Sequence, residues 1–199
     1  QNLLLDNMLL VDVYNQAKKL HIENDQKRIV FLVEAKSKDN QMLLETMKGM
    51  YASGMKDFVT AVDESSVILV KALEETDGYR EVYESAKSIA DTVSAEAMVN
   101  IRVSYGTIIH ELKDVSKSYK EAGMALDVGR IFYPGHNILA YNELGIGRLI
   151  HQLPLSLCDM FLKEVFGERD VSEFEEETLS TVYKFFENNL NISETARQL

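Results

Sequence analysis

The chain has 199 residues, 46% of them hydrophobic and 9% aromatic, with two prolines; this allows one large domain with a real core plus a small appendage, and excludes a disordered or fibrous chain. A net charge of −11 argues against this stretch binding nucleic acid unaided, because phosphate contacts need clustered Lys and Arg. A single cysteine, Cys158, leaves no internal disulfide framework and suits a reducing cytoplasm, and no apolar run nears the roughly 18 residues of a membrane span.

Leu3 to Val13 is apolar-rich, but Asp6, Asn7 and Asp12 interrupt it and no basic stretch precedes it, so it does not read as a secretory signal. Residues 3–20 read instead as a helix in which Leu3, Leu10, Val13, Ala17 and Leu20 fall near a heptad seam. Such a helix can pack on its own domain or on a second copy. After a polar joint at 21–27, Arg28–Ala35 (RIVFLVEA) has the length and β-branched content of a buried strand. Asp39–Tyr51 reads as a helix with Met42, Leu43, Met47 and Met50 on one side. That methionine set, with Met55, is at core spacing. Phe58–Val62 and Val67–Val70 are two strands joined by Asp63-Glu-Ser-Ser66, a connection short enough to force an antiparallel hairpin.

Gly78–Val93 is a helix, with Val82, Ala86, Ile89 and Val93 among the residues recurring at threes and fours. Val99–Tyr105 alternates as a strand does, Asp114–Ile131 is a helix, Pro134-Gly135 is a turn, and Asn137–Tyr141 is a short last strand. Residues 144–199 are helical, punctuated by Pro154 and Gly167. The order β-α-β-β-α-β-α-β opens with a ferredoxin-like βαββαβ unit. It predicts an α+β domain whose antiparallel-containing sheet carries its helices on one face.

The last helices have features of their own. Asn191 is a good N-cap, with Glu194 three residues on as in a capping box. Ile192, Ala196 and Leu199 share one apolar face. Glu168–Glu187 is acidic and reads as a solvated helix face or a docking surface for a basic domain. Other chemistry is scarce. His21, His110, His136 and His151 lack metal-ligand spacing. Cys158 sits among Leu155, Leu157, Phe161 and Leu162 and reads as a buried small hydrophobe. Gly145-Ile-Gly147 is too short for a dinucleotide fingerprint.

The element order resembles the palm-type fold of nucleotide cyclases and diguanylate-cyclase (GGDEF) domains. There the signature lies on the hairpin matched here by Ala61-Val-Asp-Glu-Ser-Ser-Val67. The acidic pair Asp63-Glu64 is kept, while the glycines that would let a nucleotide approach the backbone are Ala61 and Val62. The first strand ends Val33-Glu-Ala-Lys36, so Glu34 stands where several metal-binding carboxylates would be wanted. The resemblance therefore implies a degenerate cyclase site at Glu34, Asp63 and Glu64.

The whole chain is more similar to PucR/CdaR-type transcriptional regulators, named for purine-catabolism and sugar-diacid control. The stretches that carry this are Asn2–Leu9 with Ala17–Ile22, Ser118–Gly129, Tyr141–Ile150, and Thr178–Phe186 through Asn191–Leu199. The resemblance implies a leading helix over 1–24, a GGDEF-like domain over 25–145, and a helical segment over 146–199. A helix-turn-helix would begin in that segment near residue 174. Asn191, Ile192, Glu194, Thr195, Ala196 and Leu199 would lie in the helix that precedes its recognition helix. It further implies a cytoplasmic homodimer away from the membrane, with no catalysis and no cofactor or metal, contacting DNA through the full-length protein under a small-molecule effector. The alternatives are a nucleotide-binding or residual phosphoryl-transfer domain using Glu34, Asp63 and Glu64 around Mg²⁺, and a pure oligomerisation module.

Overall fold

A computed structural model of the chain describes residues 3–4, 7–35, 40–51, 56–97, 100–167 and 173–199. Its contacts divide it into two compact units, Gln1–His151 and Gln152–Leu199.

The first unit is a mixed α+β domain. In chain order it holds α1 (Leu10–Lys19), β1 (Arg28–Ala35), α2 (Asn40–Tyr51), β2 (Phe58–Ala61), β3 (Ser66–Ala72), α3 (Tyr79–Ala97), β4 (Ile101–Tyr105), α4 (Val115–Phe132), β5 (Ile138–Ala140) and α5 (Gly145–His151). The strands form one sheet in the order β2-β3-β1-β4-β5. β1 is antiparallel to both β3 and β4, β2 is antiparallel to β3, and β5 joins β4 in parallel after the α4 crossover. The βαββαβ reading therefore holds, and β5 extends it by one strand.

The sheet carries helices on both faces, where the sequence predicted one. The cause is legible in β1, whose residues are nearly all buried. Ile29, Phe31, Val33 and Ala35 point to one face and meet Leu43 and Met47 of α2 with Val82, Ala86, Ile89 and Val93 of α3. Val30 and Leu32 point to the other, with Ile68 and Val70 of β3, and meet Val13 and Ala17 of α1 with Ala122, Ala125 and Leu126 of α4. A strand with no polar face needs cover on both sides.

The first helix is shorter than its pattern. Leu3 and Leu4 form a turn, Leu9 is extended, and the helix starts at Leu10. The heptad seam is split: Val13 and Ala17 are buried in the domain, while Leu10 and Leu20 are 56% and 66% exposed. Leu4, not Leu10, supplies the missing core contact. The helix closes in a Schellman motif, with Ile22 N–H bonding the Ala17 carbonyl and His21 N–H the Lys18 carbonyl. His21 occupies the left-handed position at φ 54°. Met42 is exposed, and Leu44 takes the inward place expected of it. Asp6, Lys36, Asp39, Met55, Val99, Glu168 and Arg169 lie outside the described residues.

The second unit holds α6 (Leu155–Phe166), α7 (Glu176–Glu187) and α8 (Ile192–Gln198). Cys158 on α6 is half-exposed rather than buried, because α6 has no buried residue at all. Among the described residues no helix is long and apolar enough to cross a membrane.

Candidate functional site

The β2–β3 hairpin and the end of β1 bring the predicted acidic positions to one end of the strands. Glu34 pairs in register with Ser66 at the start of β3 and with Arg102 on β4. It follows Val30 and Leu32 onto the face covered by α4, and there its carboxylate accepts from the Arg130 guanidinium. The same guanidinium reaches Asp127 Oδ1 at 2.9 Å. Arg102, opposite Glu34, donates to the Pro134 carbonyl at 3.3 Å. The Glu34 carboxylate is thus paired with a cation of the chain itself.

Asp63 serves its own turn. Its Oδ1 accepts from the Ser65 N–H at 2.8 Å and the Ser65 hydroxyl at 3.1 Å, as Asx turns do. Slight burial pushes the Asp63 carboxyl up, but hydrogen bonds from Ser65 and Ser66 outweigh it and hold the group below its ordinary value. Burial and the Asp63 charge push the Tyr119 hydroxyl up. Glu64 is exposed at the tip. Ala61 pairs with Val67, and Val62 N–H bonds the Ser66 carbonyl at 2.9 Å, so two side chains stand where glycines would open the backbone. Among the described residues no three His, Cys, Asp or Glu side chains form a metal-binding group.

Sequence reasoning missed a buried polar lock toward the other end of β1. Between the pairs Arg28↔Ile109 and Phe31↔Tyr105, β1 advances three residues and its partner four, a one-residue bulge at 106–108. Val30 N–H, left without a ladder partner there, donates to the Ser118 hydroxyl at 3.2 Å. Ser118 in turn donates to the Thr107 carbonyl at 2.8 Å. Glu121, one turn along α4, accepts from Thr107 N–H at 2.8 Å and its hydroxyl at 2.5 Å. Two polar residues on the inward row of α4 were the available sign, since a buried polar group must find a partner. Arg130, the partner of Glu34, gave no sign in sequence because the two lie on distant elements.

At the other end of the chain, α7 and α8 meet through a turn at 188–191. Asn191 is the N-cap, its Oδ1 accepting from Glu194 N–H at 3.1 Å. The reciprocal half of the capping box does not form. Asn191 N–H already donates to the Asn188 carbonyl, and the Glu194 carboxylate bonds Arg197 at 3.0 Å and Gln198 at 3.1 Å. Thr195 is buried and donates to the Asn191 carbonyl at 2.8 Å. Ile192, Ala196 and Leu199, which share one apolar face in the sequence, are exposed.

A family model described as the GGDEF-like domain matches residues 7–128, from before α1 to within α4. No curated protein matches the chain. The match covers more than half of the chain and includes the β1 end, the hairpin and the α4 lock. The chain belongs to the GGDEF-like domain family.

Proposed function

We propose that the chain is a regulatory part of a cytoplasmic DNA-binding transcription regulator of the PucR/CdaR type, with a non-enzymatic GGDEF-like domain followed by the first helices of a helix-turn-helix. The observation that carries this is the α7–α8 pair. Two amphipathic helices join through a four-residue turn, the second is N-capped by Asn191, and its apolar stripe Ile192, Ala196 and Leu199 is uncovered. That stripe is the face a third, DNA-reading helix would cover.

The family match supports the domain assignment, and the state of the hairpin supports the absence of catalysis. Phosphoryl transfer on a metal needs open carboxylates and close backbone approach. Here Glu34 is ion-paired, Asp63 is bonded within its turn, and Ala61 and Val62 replace glycine. The regulator acts as a dimer, reading two half-sites, with the outer surface of α1 (Leu9, Leu10, Val11 and Leu20 all exposed) as part of the contact. A signal reaching the palm domain repositions the C-terminal helices and so the DNA reader.

Capture of genomic fragments by the full-length parent protein tests this, beside calorimetry with GTP and Mg²⁺. The expected result is enrichment of a two-half-site sequence and no heat from GTP. Ala196→Glu, which charges the α8 stripe, should lose about tenfold or more in DNA affinity. Tight, metal-dependent GTP binding that disappears in Glu34→Ala would establish the nucleotide-binding reading instead.

A further inference from the structure

On the face that carries α1 and α4, α4 lies over β1, β4 and β5. The β2–β3 end of that face is left to α1 and the Leu3–Leu4 turn. Between them and the strands runs a groove of about 610 Å³, within the size range of small-molecule sites. Val13 and Ala17 of α1, with Leu20 just after it, form one wall, and Phe58, Thr60 and Val70 of β2 and β3 form the floor.

The chemistry of the wall is selective. Among the described residues, twelve of the fourteen that line it are apolar, and the other two, Gln16 and Thr60, are neutral. Among those described residues there is no Asp, Glu, Lys, Arg or His, in a chain where 27% of residues are charged. A sugar diacid or a nucleotide phosphate entering such a groove would lose its hydration with no cation to offset the loss. An uncharged apolar body loses little and gains the burial of its surface.

We propose that this groove is a binding site for a neutral, mostly apolar small molecule, an acyl or aromatic body with one hydrogen-bonding head directed to Gln16 and Thr60. Because α1 is a wall of the groove, the occupant braces α1 on the sheet and stabilises the folded domain by mass action. The site is independent of DNA binding, so its failure leaves the regulatory reading intact.

The test titrates the whole chain with decanol, decanoate and galactarate, following heat, melting temperature and the amide resonances of Val13 and Val70. Saturable decanol binding is expected, with a raised melting temperature and shifts at both amides. Decanoate should bind about tenfold more weakly or worse, and galactarate should give no change. Ala17→Phe and Thr60→Phe fill the groove from opposite sides and should each weaken decanol about tenfold or more. Thr60→Phe sits on an edge strand that favours aromatics, so it carries the test if Ala17→Phe does not fold. Decanol that does not saturate, an affinity unchanged in the folded variant, or galactarate binding abolished by Thr60→Phe would each overturn the proposal.

Discussion

A Cβ at Gly106 would stand 2.1 Å from the Ser118 carbonyl oxygen, and that oxygen belongs to the helix backbone. The bulge and α4 cannot both keep their places with a side chain there. Gly106→Ala should therefore cost about 3 kcal/mol or more in urea unfolding. Ser118→Ala, which strands Val30 N–H and the Thr107 carbonyl, should cost about 1–3 kcal/mol. If either variant unfolds at the wild-type midpoint, the lock does not hold α4 to the sheet. Tyr105 gives a second prediction at this scale. Burial, aided by the negative charge of Glu143, pushes its hydroxyl from the ordinary 10.0 up to about 12. The unfolded chain then releases the proton first. The neutral phenol contributes its stability in full below pH 10, and that contribution is lost as the pH rises toward 12. The melting temperature of Tyr105→Phe should fall less over this range than that of the wild type, and equal slopes would contradict the assignment. Single residues were the least legible part of the sequence. Asn191 could be read because its capping bond is local, whereas Asp63, read as a site acid, is bonded to Ser65 within its own turn. Ser118, Glu121 and Arg130 could not be read, because their partners are set by the tertiary packing.

Among the elements, strands and helices with one dominant period were legible. β1 announced itself as an unbroken apolar run, and α3 by Val82, Ala86, Ile89 and Val93. α1 shows where periodicity misleads. Its pattern from Leu3 to Leu20 mixes residues that serve the domain core with residues that face outward. A partner helix must therefore be sought on Leu10 and Leu20, not on Ala17. Introducing charge by Leu10→Glu with Leu20→Glu should dissociate the proposed dimer in light scattering while leaving the monomer folded, and an unchanged mass would remove α1 from the interface. The end of α1 is suboptimal. His21 holds a left-handed conformation at φ 54°, a position that costs a side chain roughly 1 kcal/mol and glycine almost nothing. His21→Gly should raise stability by about 1 kcal/mol. A destabilised variant would mean that the imidazole makes a contact that outweighs the strain.

At the scale of the molecule, the element order was enough to place the chain in a palm-type fold, and the sheet order β2-β3-β1-β4-β5 carries that reading through. The expectation of helices on one face fails because it holds for the two helices of the ferredoxin-like unit, α2 and α3, and not for the helices outside that unit. α4 and α1 cover the second face, which only a strand apolar on both sides would require. The acidic positions at the strand ends were legible in composition but not in state, since an acidic pair on a hairpin reads the same whether its carboxylates are open or engaged. The central claim joins a GGDEF-like domain to a DNA reader, and the α7–α8 pair is its physical basis. The most direct test is to read the coding sequence of the parent gene past Leu199. The account predicts that about 25 further residues hold a short turn and a polar, Arg-containing recognition helix able to cover Ile192, Ala196 and Leu199. A stop codon or an unrelated domain at that point would contradict it.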